Sequence, residues 1–196
     1  MAMAFRRALP SMALALGLAG CGVGDLSTLE ERAKGAWGEV QNQYQRRLDL
    51  VPNLVETVKG HAAQEREVLA QVTEARARAV QVKVDVLTIT DPQKFREYRQ
   101  AQDQLSAAFG RLLAAVERYP ELKSSAGFLT LQAQLEVTDN RIAVARRDYG
   151  EAARAYNAEL QAIPGRWIAA MLFPNAKPLE TFSAAAGPER PPATRF

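Results

Sequence analysis

The chain contains one cysteine and one histidine among its 196 residues, and these shortages exclude several kinds of site. An intrachain disulfide needs two cysteines, and a structural zinc site needs about four cysteine, histidine or carboxylate ligands. His61 and Glu65 stand four apart and share a helix face, but they supply only two ligands. The sequence has no HExxH motif, phosphate-binding glycine loop or serine–histidine arrangement. It therefore predicts no catalytic residue, no metal site and no cofactor.

Proline and glycine are sparse between residues 25 and 163, where alanine, glutamine, glutamate, arginine and leucine dominate. Apolar residues recur there at steps of three, four and seven, the spacing of helix faces that become buried. Residues 80–86 alternate like a strand, but with no partner strand in the sequence we interpret them as a connector. Three stripes follow, and they include Trp37, Tyr44, Val51 and Val58, then Phe95, Tyr98, Gln102, Leu105, Phe109 and Leu112, then Phe128, Leu131, Leu135, Thr138 and Ile142.

These stripes predict an all-α fold: an elongated antiparallel helical bundle of three long helices with coiled-coil-like packing. The first helix is expected over about residues 28–82, with a kink at Pro52. Asp91-Pro92 predicts the start of the second helix and Pro120 its end. A serine at 124 or 125 is expected to cap the third.

Residues 1–20 combine basic Arg6 and Arg7 with an apolar run of about 12 residues, too short to span a bilayer. The segment ends in Leu-Ala-Gly before Cys21, the layout of a bacterial lipoprotein signal. We expect cleavage before Cys21 and attachment of a diacylglycerol to its thiol. The alternatives are an ordinary secretory signal with a chance cysteine and an uncleaved anchor helix. Gly22 in place of aspartate favours the periplasmic face of the outer membrane.

The rest of the chain has an almost even charge, with 23 basic against 22 acidic side chains once residues 1–20 are removed. Nothing in this balance demands a nucleic-acid partner. Residues 21–182 suit one helical domain, and residues 183–196 are predicted to be a disordered tail. The apolar segment 167–173 is too short to span a membrane, so it either caps the bundle end or touches lipid.

Three stretches of the chain resemble the LemA family of bacterial envelope proteins. They are YQRRLDLVPNLVETVKGHAAQE (residues 44–65), VERYPELKSSAGFLTLQAQLEVTDNRIAVARRDYGEAARAYN (116–157) and IPGRWIAAMLF (163–173). The resemblance covers about residues 25–182 and implies an antiparallel helical bundle carried on an N-terminal membrane anchor. It implies no established biochemical activity. The chain departs from the family pattern in its lipoprotein signal and at His61, Gln64, Val137, Asp139 and Gly150.

The resemblance also carries a polar signature onto this chain. Its positions are Arg46, Arg47, Asp49, Pro52, Asn53, Glu56, Glu65, Glu117, Tyr119, Pro120, Thr138, Asn140, Arg141, Arg146, Arg147, Tyr149 and Asn157. Such residues either fix the register of packed helices or recognise a protein or an anionic headgroup. The candidate recognition surface comprises Arg46, Arg47, Asp49, Asn53, Asn140, Arg141, Arg146 and Arg147. We expect Arg141 to face the helix seam and Arg146 to face outward.

Together these features predict a non-catalytic, membrane-anchored lipoprotein of the cell envelope. It would act as a scaffold or adaptor for a membrane or periplasmic protein partner, with Cys21 as its link to the membrane. No nucleic acid and no small-molecule substrate is indicated. The alternatives are a structural spacer in the envelope without a specific protein partner, and a hydrolase of uncharacterised type.

Overall fold

The computed structural model describes residues 2–82 and 85–182, with side chains for 26–82, 85 and 88–182. This part of the chain is all-helical and contains no strand. Its helices are α1 (Ala2–His61), α2 (Arg66–Gln81), α3 (Pro92–Val116), α4 (Pro120–Lys123), α5 (Ala126–Gln161) and α6 (Gly165–Leu172), with a short 3₁₀ helix at Val86–Thr90. The predicted tail, residues 183–196, and the lipidation of Cys21 lie outside what is described.

The first predicted helix is two helices, so the expectation of one kinked helix over 28–82 was wrong. α1 continues through Pro52 and ends at His61, and the chain then reverses into α2. Arg76 of α2 donates a hydrogen bond to the Leu48 carbonyl at 3.1 Å, which shows that α2 runs back beside α1. Because Pro52 has no N–H, that carbonyl lacks its ordinary helical donor. The Arg76 guanidinium supplies the missing donor and ties the two helices together.

The two longest helices, α1 and α5, are antiparallel neighbours. The Trp37 and Tyr149 ring centroids lie 5.2 Å apart, and Arg47 reaches Asp139 at 3.4 Å. α2 and α3 pair with each other, as the 2.7 Å hydrogen bond from Arg111 to Gln71 shows. In the half farther from the N terminus, four helical segments therefore lie side by side where three were expected.

Two predicted helix starts are confirmed. The Asp91 carboxylate accepts hydrogen bonds from the N–H groups of Gln93 and Lys94, at the first turn of α3. These bonds lower the pKa of Asp91, because they stabilise its ionised form. The Ser125 hydroxyl accepts from the Phe128 N–H at the start of α5. Both caps satisfy donors that a helix leaves free at its first turn.

The apolar core falls into two clusters along the bundle. The far cluster contains Leu48, Val51, Leu54, Val58, Leu69, Val72, Leu105, Leu112, Leu122, Phe128 and Leu135. The near cluster, closer to the N terminus, contains Leu26, Trp37, Val40, Tyr44, Ile89, Phe95, Tyr98, Ile142, Tyr149 and Tyr156. Most of these belong to the three predicted stripes, so the sequence identified the buried faces correctly.

After α6 the chain returns along the bundle as far as Phe182. The Asn157 side chain bonds both the N–H and the C=O of Leu179, each at 2.8 Å. The Tyr149 hydroxyl donates to the Glu180 carbonyl at 2.6 Å, and the Phe182 ring packs on Phe95 with centroids 5.0 Å apart. Asn157 and Tyr149 of the polar signature therefore hold the C-terminal segment in place.

Candidate functional site: a groove between α1 and α5

Arg47 is the buried member of the predicted recognition surface. Its guanidinium donates to the Ser106 hydroxyl at 2.9 Å, to the Gln102 carbonyl at 3.1 Å and to the Gln102 side-chain oxygen at 2.9 Å. Asp139 of α5 completes the group at 3.4 Å. Arg47 thus joins α1, α3 and α5, and its contacts lie where the two apolar clusters meet. We call Arg47, Gln102, Ser106 and Asp139 the polar layer.

Arg146 is partly buried, whereas Arg141 is exposed, so the expected orientation of these two arginines was wrong. The Arg146 guanidinium carbon lies 4.3 Å from the centroid of the Phe182 ring. Burial raises the pKa of the nearby Tyr44, and the charges of Arg146 and Arg47 lower it by less. Arg146 is therefore occupied with the C-terminal segment and the aromatic core.

Between α1 and α5 lies an open groove in two adjoining sections, which share Val137 and Arg141. The section nearer the N terminus has a volume of about 590 Å³ and is lined by Glu39, Gln43, Val137, Asn140, Arg141, Val144, Ala145 and Asp148. The farther section, of about 580 Å³, is lined by Arg46, Leu50, Thr130, Ala133, Gln134, Val137, Thr138 and Arg141. We call the two sections together the α1/α5 groove.

The α1/α5 groove combines exposed apolar side chains with charges of both signs. Val137 and Val144 are 50% and 48% exposed there, although valine is ordinarily buried in a helical bundle. Glu39 and Asp148 stand at the end nearer the N terminus, whereas Arg141 lines both sections and Arg46 lines the farther one. The groove therefore offers apolar contact and two opposite charges along one line.

The structure brings three members of the predicted recognition surface into this groove, namely Arg46, Asn140 and Arg141. The remaining exposed members lie outside its lining. Asp49 accepts a hydrogen bond from Gln45 at 2.7 Å, and Arg147 pairs with its neighbour Asp148 at 3.0 Å. Asn53 is exposed on α1. The eight residues therefore do not form one surface.

Sequence reasoning missed the valines that form the floor of the groove. Val137 and Val144 are seven apart on α5, yet they fall off the stripe that contains Thr138, Ile142 and Ala145. A second apolar repeat beside the core stripe was the available signal, because it widens the apolar face beyond what one seam buries.

His61 and Glu65, the two residues with metal-ligand spacing, are used in other contacts. The His61 Nδ1 lies 3.2 Å from the Thr57 carbonyl oxygen. Glu65 accepts hydrogen bonds from Tyr119 at 2.7 Å and from Arg118 at 2.8 Å. Among the described residues, no three histidine, cysteine or acidic side chains are grouped so that they could hold a metal ion.

These features define an all-helical bundle protein with an open groove between its two longest helices. The chain belongs to the LemA family, whose model matches residues 36–196. Similar proteins include Magnetosome protein MamQ 2 and Magnetosome protein MamQ 1 of Paramagnetospirillum magneticum, each 27% identical over 158 residues. Magnetosome protein MamQ of Magnetospirillum gryphiswaldense is 25% identical over 158 residues. Each alignment covers 72% of this chain and 58% of the relative, so the chain spans less than two thirds of these proteins.

Proposed function

We propose that this protein is a non-catalytic scaffold of the cell envelope, anchored through a lipid on Cys21, that binds a helix of a partner protein in the α1/α5 groove. The observation that carries the proposal is the pair Val137 and Val144, half exposed in a groove that has Arg46 and Arg141 near its middle and Glu39 and Asp148 at its end nearer the N terminus. A groove with apolar anchor positions and a charged rim suits an amphipathic partner helix. The acidic side chains stand at one end of the groove only, so the charges set one direction for that helix.

The way the bundle uses its two faces supports a binding role for the groove. On one face of α1 and α5, the polar layer joins them to α3. On the groove face, no other helix of the described chain covers Val137 and Val144. Exposed apolar patches rimmed by polar groups commonly mark sites of protein contact.

The anchor part of the proposal rests on the basic residues Arg6 and Arg7, the short apolar run after them and the Leu-Ala-Gly sequence before Cys21. None of the helices in the described part of the chain is long and apolar enough to cross a membrane. The relatives bear the name of magnetosome proteins, which together with the LemA family match supports a membrane-associated role.

The test uses one strain with two readouts. A photo-crosslinking amino acid replaces Val144 in the full chain, and the cells receive a fatty acid that can be detected on protein. We expect the label on the mature chain, with none on Cys21→Ser, and one discrete crosslinked adduct after irradiation. The same amino acid at exposed Ala114 of α3, outside the groove, is the matched position and should give no adduct.

A second substitution decides whether the adduct reports the groove. Val137→Glu should abolish the Val144 adduct, because a carboxylate replaces an apolar contact. Leu129→Glu, at an equally exposed apolar residue of α5 outside the groove, should leave it intact. A labelled protein without an adduct at Val144 would indicate a spacer with no partner, and a fatty-acid label on Cys21→Ser would refute the anchor.

A further inference from the structure

Helix α6 presents its large apolar side chains to the outside. Trp167 is 61% exposed, Met171 82% and Leu172 55%. The buried residues of the helix are the small ones, Gly165 and Ala169. An ordinary amphipathic helix on a soluble bundle would have the opposite arrangement, with the large apolar residues inside. The expected cap is therefore present, but its most apolar face is unused.

Close backbone contact explains how α6 is held with so little side-chain burial. A Cβ atom at Gly165 would lie 2.2 Å from the Glu159 carbonyl oxygen of α5, so no larger residue fits. The Arg166 N–H also donates to the Ala162 carbonyl at 2.7 Å. The start of α6 is thus pressed against the end of α5, and its outer face has a fixed direction.

The position of α6 along the bundle follows from the register of α1 and α5. Trp37 packs beside Tyr149 and Arg47 pairs with Asp139. Ten residues forward along α1 therefore correspond to ten residues back along α5. Continued at this register, Gln161 at the end of α5 comes level with Asp25 of α1. Ala169 shares the near cluster with Leu26. α6 therefore stands beside the part of α1 that follows Cys21.

We propose that α6 lies in the interface of the membrane that holds the lipid on Cys21, with Trp167, Met171 and Leu172 among the lipids. The inference rests on the proposed lipid anchor and adds a second membrane contact to it. Tryptophan favours the headgroup level, and the exposed Arg166 of the same helix suits the phosphates there. An acyl anchor alone leaves a bundle free to pivot, whereas two contacts set its tilt.

The experiment uses the two tryptophans of the chain, of which Trp37 is buried and Trp167 exposed. The full lipidated protein is reconstituted in vesicles of phosphatidylglycerol and phosphatidylcholine with brominated acyl chains. Bromine quenches only tryptophans close to the acyl region. We expect loss of the Trp167 share of the emission, at the depth that interfacial tryptophans occupy. Trp167→Phe should show no quenching, because Trp37 lies in the core.

Flotation of the same vesicles separates failure of the anchor from failure of this inference. Protein that floats without quenching is anchored with α6 away from the membrane, which would overturn the inference alone. Protein that does not float would overturn the anchor and this inference with it. Met171→Gln combined with Leu172→Gln should reduce the quenching, and Leu129→Gln at the far end of α5 should not. If a second copy of this chain covers this face of α6 instead, the wild type is a dimer and the Met171→Gln, Leu172→Gln protein is a monomer. The quenching of the two proteins is then the same, and that outcome overturns the inference.

Discussion

The neighbouring residues Arg46 and Arg47 have very different environments, although they are one position apart on α1. Arg46 is exposed in the α1/α5 groove, whereas Arg47 is 4% exposed and carries four contacts of the polar layer. The spacing already contained this distinction, because Arg47 stands three residues after Tyr44 and four before Val51, both in the predicted stripe. For Arg141 and Arg146 the spacing was less informative, since the partner of Arg146 is Phe182, far away in sequence.

At this scale we predict that Arg47→Ala lowers the free energy of unfolding by about 2–5 kcal/mol, because it leaves the buried Gln102 side-chain oxygen without its donor and opens a cavity. Arg46→Ala and Arg141→Ala should each cost less than about 1 kcal/mol, since both side chains are exposed. Chemical denaturation followed by circular dichroism measures all three. A stable Arg47→Ala protein would show that the polar layer contributes little to stability.

Among the helices, the reversal of the chain between α1 and α2 is the feature that the seven-residue spacing of apolar residues concealed. Val58, Val72 and Ala79 keep the seven-residue spacing across it, because both helices place their apolar faces on the same core. Glu65 interrupted that set and was the visible sign of the turn. In the structure its carboxylate binds Tyr119 and Arg118, just beyond the end of α3. A long-range contact of this kind leaves no trace in local spacing.

The contacts of Glu65 predict a pH dependence. Hydrogen bonds from Tyr119 and then Arg118 lower the pKa of Glu65 below its ordinary 4.5. The ionised carboxylate therefore stabilises the fold above pH 4.5, and this contribution is lost as the pH falls through the lowered pKa. Glu65→Gln should be less stable than wild type at neutral pH, and the difference should shrink in acid. Thermal melts from pH 7 to pH 3 measure it, with exposed Glu67→Gln as the control, and a difference that stays constant with pH would contradict the assignment.

At the scale of the whole molecule, the sequence predicted the all-helical class, the antiparallel order and most of the core. It missed the fourth helical segment and the division of the core by the polar layer. Coiled-coil-like packing stays a prediction. The polar layer joins residues of three helices that are 55 and 92 positions apart along the chain, so only the folded arrangement shows it.

The polar layer leads us to expect that one double substitution changes the alignment of α1 with α3 without lowering the stability of the fold. Arg47→Leu combined with Gln102→Leu should keep or raise the melting temperature, because apolar replacement of buried polar groups is often neutral or stabilising. It should also let α1 slide against α3, because the device that fixes register is gone. Spin labels at Lys59 and Ala114, in a Cys21→Ser background, would then give a broader distance distribution. Arg46→Leu combined with Gln100→Leu is the surface control, and an unchanged narrow distribution would contradict this role.

The unbroken helix α1 fixes the distance between Cys21 and the α1/α5 groove. At 1.5 Å per residue, the 25 residues from Cys21 to Arg46 correspond to about 38 Å. If Cys21 lies at the bilayer surface and the bundle stands perpendicular to it, the groove lies at that distance from the membrane. It is then out of reach of a partner that lies flat on the membrane surface. A partner in the same membrane would need an extension of about the same length to contact the groove. Inserting or removing whole helical turns in α1 below the domain would therefore change which neighbours the groove can touch, with every residue of the groove unaltered.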